Sequence, residues 1–253
     1  MQVQLSAVII TFNEEKNIER CITSVKEVAD EVLVVDSFST DKTKLICERL
    51  GIRFVEHAFE GHIQQKNWAK DQSKFDHVLS LDADESLNDV LVAEILKVKT
   101  NWTFGAYKMN RLTNYCGKWI RHTSWYPDTK IRLFDRRVGK WDGLNPHDEY
   151  RVPQNKKVAH LKGDILHYSF YTKAEHIAQI EKFSTIGAQA LLEKGKKSNW
   201  VLVLIKPIAR FVKNYVMRLG FLDGAEGFAI SGLSAYANYL KYKKLIHLQK
   251  QGR

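Results

Sequence analysis

The amino-acid sequence predicts an α/β fold: a mostly parallel central sheet with flanking helices, followed by a helical, basic C-terminal segment. Predominantly apolar runs at residues 5–12, 32–35 and 77–81 have the composition of buried parallel strands. Helical patterns follow the first two runs, and this strand–helix repeat is typical of an open sheet covered on both faces. After residue 199, apolar side chains recur at helical spacing among Lys and Arg residues.

The elements can be assigned in order along the chain. The first strand is expected to lead into a helix capped by Asn13, with Ile18, Cys21, Ile22 and Val25 as its buried stripe. The next elements are strand 32–35, helix 43–50, strand 53–55, a helix after Gly61 and strand 77–81. Two further strands are expected at 105–111 and 130–134, where charged residues alternate with uncharged ones. Helices at 199–219 and 228–245 are expected at the end of the chain.

Length and composition indicate one large domain, or a domain with an appendage. The 253 residues are 44% hydrophobic, which is enough for a substantial core. The three cysteines, in no paired spacing, suggest neither a disulfide framework nor a zinc ribbon, so a reducing, cytoplasmic compartment is expected. The N-terminus does not resemble a signal peptide, and no apolar run approaches the length needed to span a bilayer.

The positive charge is confined to one end of the chain. Residues 1–181 contain 26 basic and 26 acidic residues, so the net charge of +10 arises from 13 basic and 3 acidic residues in 182–253. Such asymmetry indicates an anionic surface met by the C-terminal segment, either nucleic acid or acidic lipid. No nucleic-acid-binding motif is present, so we expect an anionic membrane surface and no nucleic acid.

Two carboxylates follow the strand at 77–81. Side chains alternate along a strand, so Asp82 and Asp84 are expected on the same side if the pairing continues through Ala83. Two such charges roughly 5 Å apart repel by about 3 kcal/mol at an effective dielectric of 20. A divalent cation shared with phosphate oxygens would remove this repulsion. The alternative is a solvated turn before a helix near Leu87 with Ser86 as its N-cap.

Polar residues also end the other predicted parallel strands. Ligands of open α/β sheets bind beyond the carboxyl ends of the strands, so these groups are expected at one edge: Thr11, Asn13 and Glu14; Asp36 and Ser37; Asp82 and Asp84. Neither a glycine-rich dinucleotide fingerprint nor a P-loop occurs. A nucleotide would therefore be held by carboxylates on its ribose and base, with its diphosphate on a metal.

Three ordered motifs then resemble family 2 glycosyltransferases of the GT-A fold. They are residues 8–15 (VIITFNEE), 34–41 (VVDSFSTD) and 81–85 (LDADE). The resemblance implies that Thr11, Asn13, Glu14 and Asp36 surround the nucleoside, that Lys66 or Asn67 lies near the donor, and that Asp84, with Asp82, meets the metal and the sugar diphosphate. It assigns residues 1–100 to donor binding, 101–170 to acceptor binding and completion of the metal site, and 171–253 to a helical extension.

Further segments are similar to a narrower subgroup, the bacterial glucosyltransferases of the lipopolysaccharide inner core. They are residues 121–128 (RHTSWYPD), 147–148 (HD), 166–167 (LH) and 220–224 (GFLDG). The resemblance implies an acceptor side formed by Arg121, Trp125, Tyr126, Asp128 and His147. It implies His167 as a metal ligand, and an imidazole ligand favours Mn²⁺ over Mg²⁺. Trp125 and Tyr126 suit stacking on a sugar, or they cover the sheet edge.

The catalytic base stays open between two carboxylates. An attacking hydroxyl needs a group to take its proton, and Asp148 and Glu149 are the candidates. The subgroup usually has Glu directly after His, whereas here Asp148 intervenes.

The predicted function is an inverting, metal-dependent transfer of a sugar from a nucleotide-sugar donor, most simply UDP-glucose. The expected acceptor is a lipopolysaccharide-core or other lipid-linked glycan at the inner face of the cytoplasmic membrane. The alternatives are a nucleotidyltransferase and a non-enzymatic module that binds anionic surfaces. The helix at 199–219 either lies on a membrane or packs on the protein with Lys206, Arg210 and Lys213 in water.

Overall fold

The computed structural model describes residues 2–144 and 147–251, without the side chains of Leu144 and His147. The chain forms two compact units. The first comprises residues 1–111 and 128–168, and the second comprises residues 112–127 and 169–253. The segment at 112–127 therefore belongs with the C-terminal helices.

The first unit alternates strands and helices through its first half. Its elements are β1 (Leu5–Thr11), α1 (Ile18–Val25), β2 (Glu31–Asp36), α2 (Thr43–Arg49), β3 (Arg53–Glu56), α3 (His62–Asp71), β4 (His77–Asp82), β5 (Glu85–Leu87) and α4 (Asp89–Thr100). Strands then dominate, with β6 (Ala106–Tyr115), β8 (Asp128–Asp135), β9 (Lys140–Leu144), β10 (His147–Arg151) and β11 (Val158–Phe170). Strands β6 and β11 have their last residues in the second unit.

The central sheet has the order β3-β2-β1-β4-β8-β6-β11-β5. Strands β3, β2, β1 and β4 are parallel to one another, as the strand–helix repeat predicts. Strand β8 is antiparallel to both β4 and β6, and β11 is antiparallel to β5. The α/β prediction is thus confirmed, with an antiparallel extension where the sequence alternates in charge. Strands β9 and β10 form a separate hairpin.

The core of the first unit lies on both faces of the parallel strands. Leu5, Ala7 and Ile9 of β1 pack into the cluster that contains the α1 stripe, whereas Val8 and Ile10 pack into the cluster on the other face. This alternation explains why the strand reads as an uninterrupted apolar run. The predicted α1 stripe is confirmed, since its four residues are fully buried.

Two predicted helix caps are wrong. Helix α1 begins at Ile18, four residues after the predicted start, and Asn13 adopts a left-handed φ of 54° in the preceding turn. Helix α4 begins at Asp89, where the side chain of Asn88 accepts the N–H of Leu91, because Ser86 is paired with β11 in strand β5. In both cases a longer-range contact replaces the local cap.

The second unit is mainly helical. It contains β7 (Lys118–Ile120), α5 (Lys173–Glu193), α6 (Trp200–Val212), a π-helical turn (Lys213–Met217), a 3₁₀ turn (Gly220–Asp223) and α7 (Gly224–Gln251). Helix α7 packs on both α5 and α6. The helix predicted at 199–219 thus ends earlier, and the last helix is longer than predicted. Among the described residues, every helix is too short or too polar to cross a bilayer.

Candidate active site

The carboxyl ends of β1, β2 and β4 meet at one edge of the sheet. Strand β1 lies between the other two, with Thr11 opposite Asp36 and Ile10 opposite Asp82. Because adjacent strands are about 4.8 Å apart, Asp36 and Asp82 are about two strand spacings apart at this edge. The parallel register therefore brings together the strand ends that the sequence singles out.

Asp36 and Asn13 connect the loops that follow β1 and β2. Asp36 is buried, and its carboxylate accepts hydrogen bonds from the backbone N–H and the hydroxyl of Ser39. The Asn13 N–H donates to Ser39 Oγ, and Asn13 Oδ1 accepts the Thr40 N–H. The hydroxyl oxygen of Thr11 is buried without a hydrogen-bond partner among the described residues. These polar groups frame the edge at the end of β1.

Glu14 titrates close to neutrality. Burial is the main cause that raises its pKa to about 7, and the negative charges of Asp84 and Asp41 add to it. A hydrogen bond from Asn17 and the proximity of His167 act in the opposite direction but do not prevail. Glu14 is thus electrostatically coupled to both residues implied as metal ligands.

Asp82 lies in a buried network of charges. Its Oδ1 is 3.0 Å from Lys66 Nζ, and its Oδ2 is 2.8 Å from Arg132 Nη2. Arg132 also contacts the buried Glu85 at 3.0 Å. Burial alone would raise the pKa of Asp82, but Arg132 and Lys66 outweigh it and hold that pKa well below its usual range. Asp82 is therefore ionised and engaged on both oxygens by cations of the protein.

Asp84 has a different environment. Strand β4 ends at Asp82, and the next strand, β5, pairs Glu85 with His167 of β11. This pairing places His167 Nε2 3.1 Å from Asp84 Oδ2, and both side chains are partly exposed. Buried basic residues hold Asp82, whereas Asp84 contacts His167, and the expectation that both carboxylates meet a cation stays a prediction.

The donor set at Asp84 fits a divalent cation shared with a ligand. A carboxylate and an imidazole lie side by side, which suits Mn²⁺. Within the described residues, no three His, Cys, Asp or Glu side chains form a cluster that would hold a metal by themselves. Oxygens of a bound diphosphate would have to complete the coordination.

The two candidate bases occupy opposite sides of β10. Asp148 Oδ2 is 2.8 Å from Lys66 Nζ, and the side chain is largely buried. Glu149 is exposed, with Arg151 at 3.9 Å. Alternation along the strand causes this difference. The acceptor-side prediction at His147 concerns a side chain outside the described part of the structure.

Asn67 has a structural contact. Its side chain donates to the Trp141 carbonyl oxygen and accepts the Trp141 N–H, which ties α3 to β9. The adjacent Lys66 is buried between Asp82 and Asp148 and lies 4.7 Å from the centre of the Trp141 ring. Of the two residues implied near the donor, Lys66 is therefore the one in contact with the carboxylates.

The predicted acceptor-side residues are divided between the units. Asp128 belongs to the first unit, where Arg111 Nη2 contacts it at 2.7 Å. Arg121, Trp125 and Tyr126 belong to the second unit. There the Trp125 ring packs against Tyr115, Phe170 and His176, and the Arg121 guanidinium lies 5.8 Å from the Tyr126 ring centre. Their role towards an acceptor stays a prediction.

The GFLDG motif shapes the 121–123 segment of the second unit. Asp223 is buried and accepts hydrogen bonds from the backbone N–H groups of Arg121 and His122, and it pairs with His122 Nδ1 at 2.9 Å. Lys118 donates to the Asp223 carbonyl oxygen. The motif thus supports the loop that carries three of the predicted acceptor-side residues.

Three charged residues of the network are not among the sequence predictions. They are Glu85, Arg111 and Arg132, joined by contacts of 3.0 Å and 3.3 Å at Glu85. Arg132 lies in strand β8, where charged residues alternate with apolar ones, and this pattern is the only sequence signal that points to it. Its position depends on the antiparallel pairing of β8 with β4, and that pairing has no local sequence signature.

A comparison with known families identifies the class of protein. The chain belongs to glycosyltransferase family 2, whose model, described as "Glycosyl transferase family 2", matches residues 6–156. The chain is thus a glycosyltransferase, and the α/β architecture agrees with the fold expected from the three motifs.

Similar proteins extend this resemblance over nearly the whole chain. A Rickettsia bellii protein named an uncharacterized glycosyltransferase is 34% identical, over 98% of this chain and 88% of the relative. The lipopolysaccharide core biosynthesis glycosyltransferase LpsC of Rhizobium meliloti is 27% identical, over 96% and 92%. The solved structure of S. aureus TarS 1–349 in complex with UDP is 14% identical, over 99% and 92%, with a TM-score of 0.46.

Proposed function

We propose that this glycosyltransferase moves a hexose, with inversion, from a UDP-sugar to a lipopolysaccharide-core or other lipid-linked glycan. The observation that carries the proposal is the arrangement at the carboxyl end of β4. There Lys66 joins Asp82 to Asp148, and Asp84 pairs with His167. The family and the LpsC relative support the reaction class and the kind of acceptor.

The nucleoside would bind at the edge formed by β1 and β2. Asp36 and Asn13 fix the two loops, and the charge of Asp84 contributes to the raised pKa of Glu14. Thr11 Oγ1, a buried atom without a hydrogen-bond partner among the described residues, also favours a polar ligand here, and Arg132 Nε and Nη1 and Trp141 Nε1 are in the same condition in the network around Asp82 and Lys66. Such groups are costly unless a ligand or water satisfies them.

Asp84 and His167 would hold a divalent cation together with the donor diphosphate. When bound, such a cation neutralises charge on the leaving nucleoside diphosphate. Asp82 has a positioning role in this proposal, because it holds Lys66 and Arg132 in place. The two carboxylates of the Asp-x-Asp motif therefore act differently.

Asp148 would accept the proton of the attacking hydroxyl. Lys66 holds this carboxylate in place through a contact of 2.8 Å, and a positioned carboxylate is a suitable proton acceptor. Glu149 is on the exposed side of β10 and makes no comparable contact. The contact with Lys66 therefore favours Asp148 over Glu149 in this proposal.

The acceptor would be carried by a membrane. The C-terminal segment contains the whole net positive charge, which suits the anionic inner face of the cytoplasmic membrane. In this proposal Arg121, Trp125 and Tyr126 of the second unit contact the glycan.

Calorimetric titration with a panel of nucleotide sugars, with and without Mn²⁺, tests the donor side. We expect a UDP-hexose to bind at least about tenfold more tightly with Mn²⁺, a difference of about 1.4 kcal/mol. Asp84→Asn should remove this dependence, whereas Glu149→Gln should retain it. Product analysis provides the second criterion. Release of pyrophosphate rather than a nucleoside diphosphate would identify a nucleotidyltransferase and contradict the proposal.

A further inference from the structure

Helix α6 presents an unusual surface in the second unit. One side packs on α7, where Val203 is fully buried. On another side the apolar residues Leu204 and Ile208 are 63% and 65% exposed. More than half of the large apolar side chains exposed in the described chain lie between residues 200 and 228. An exposed apolar concentration of this kind marks an interaction site.

The exposed side chains form a continuous row along α6. The α6 row consists of Trp200, Val201, Leu204, Ile205, Ile208 and Val212, all 43% to 65% exposed. Residues four apart drift by about 40° per step around an α-helix because it has 3.6 residues per turn. The wider π-helical turn at Lys213–Met217 counteracts this drift and leaves Val216 exposed as well. The row therefore extends beyond the end of the helix.

The segment around the row carries charge of one sign. Residues 194–222 contain no Asp or Glu and seven basic residues: Lys194, Lys196, Lys197, Lys206, Arg210, Lys213 and Arg218. Three of them precede α6 and one follows the π-helical turn, so cations bracket the row along the chain. Lys206 and Lys213 are exposed on the helix and turn themselves.

We propose that the α6 row inserts into the interfacial region of an anionic lipid bilayer while the neighbouring Lys and Arg residues contact the lipid phosphates. Apolar side chains on one side of a helix and Lys and Arg on another are typical of helices that lie in the membrane interface. The inference deepens the proposed function, on which it rests for the membrane-borne acceptor. It assigns the membrane contact to six named residues.

Charge favours a bilayer over a second copy of the chain as the occupant. Two copies joined through this face would bring two sets of seven cations together without an acidic residue of the same segment to compensate them. An anionic bilayer satisfies both requirements, because its acyl region accepts the apolar row and its phosphates attract the cations.

Vesicle cosedimentation of the full chain tests this proposal. We expect binding to vesicles of equal parts phosphatidylcholine and phosphatidylglycerol, weaker binding at high salt, and at least about tenfold lower affinity for phosphatidylcholine alone. The double variant Leu204→Ser/Ile208→Ser should lose at least about tenfold in vesicle affinity. Leu45→Ser is the matched control, because Leu45 is also 63% exposed but lies on α2 of the first unit. It should bind vesicles as the unchanged protein does.

Three outcomes would overturn the inference. The first is equal vesicle binding by the double variant and by Leu45→Ser, and the second is equal binding of the unchanged protein to neutral and anionic vesicles. The third is that the unchanged protein does not bind vesicles but forms a dimer in solution, which the double variant abolishes. The last would assign the row to a second copy. Donor binding separates this result from the proposed function, because the double variant should bind the UDP-sugar normally. Absence of donor binding in the unchanged protein would instead contradict the proposed function alone.

Discussion

Lys66 Nζ lies 2.8 Å from Asp148 Oδ2, although 82 positions separate the two residues in the chain. The contact joins α3 to the β9–β10 hairpin, and the same ammonium group lies 3.0 Å from Asp82. Lys66 is thereby a bridge between the carboxylate at the end of β4 and the proposed base. Because Lys66 is buried, its charge is poorly screened and attracts both carboxylates strongly.

The two adjacent carboxylates of β10 should differ sharply in their effect on turnover. Asp148→Asn removes the proton acceptor and should lower kcat by about 10²- to 10⁴-fold. Glu149→Gln changes an exposed side chain on the other side of the strand and should leave kcat within about threefold. Steady-state assays of nucleoside diphosphate release measure both. Equal losses in the two variants would show that Asp148 is not the base.

Substitution of Asp82 and of Asp84, the two carboxylates of the Asp-x-Asp motif, should affect the stability of the protein differently. Asp82→Asn leaves Lys66 and Arg132 buried with one carboxylate fewer, which should lower the free energy of unfolding by about 3 kcal/mol. Asp84→Asn leaves no buried Lys or Arg without its partner, because Asp84 contacts the partly exposed His167, and should cost less than about 1 kcal/mol. Urea denaturation of the two variants measures the difference.

The enzymatic activity of the Asp82 and Asp84 variants should also differ. Asp84→Asn should be folded but inactive, because the change removes a proposed cation ligand. A folded Asp84→Asn protein with unchanged turnover would remove Asp84 from the site, and an Asp82→Asn protein as stable as the unchanged chain would contradict the role of the buried network.

The parallel half of the sheet is predictable from sequence because its signals are local. Each of β1, β2 and β4 is an apolar run with a polar end, and the rule for parallel sheets places those ends at one edge. The sequence alone therefore brings Asp36 and Asp82 to the same edge. The different contacts of Asp82 and Asp84 are not predictable in this way, because they depend on Arg132 and His167, which lie on strands distant in the sequence.

Local rules fail where a distant contact is stronger. Asn13 is a good helix cap by type, yet its side chain accepts the N–H of Thr40 from the neighbouring loop. In the sequence, the GFLDG motif is informative only as a resemblance. The structural role of Asp223 in this motif is to accept three hydrogen bonds from Arg121 and His122, which lie about a hundred positions away in the sequence.

Two glycines of α7 should respond in opposite ways to alanine. A Cβ at Gly227 would lie 1.9 Å from the Gly220 carbonyl oxygen, so Gly227→Ala must displace the 3₁₀ turn and should cost about 1–3 kcal/mol. A Cβ at Gly232 meets nothing within 4 Å, and Gly232→Ala should stabilise the helix by up to about 1 kcal/mol.

Hydrogen exchange localises the effect of these glycine variants. The amides of Arg121 and His122 donate to Asp223 beside the 3₁₀ turn, so Gly227→Ala should accelerate their exchange. Gly232→Ala is the control on the same helix and should leave these amides protected. If the exchange rates of these amides are unchanged in both variants, the Gly220–Gly227 contact does not stabilise the loop.

His176 should make the second unit less stable in acid. Burial of its imidazole lowers the pKa to about 4, and Nδ1 lies 3.2 Å from the Tyr115 hydroxyl in the folded chain. The unfolded chain therefore binds a proton at His176 between pH 6.5 and about 4, where the folded chain does not. The corresponding stability is present above pH 6.5 and is lost as the pH falls to about 4, a change of up to about 3 kcal/mol. NMR titration of the His176 ring, assigned with His176→Gln, should give a pKa near 4, and that variant should lose less stability between about pH 7 and pH 4.5. A ring that titrates near 6.5 would contradict this prediction.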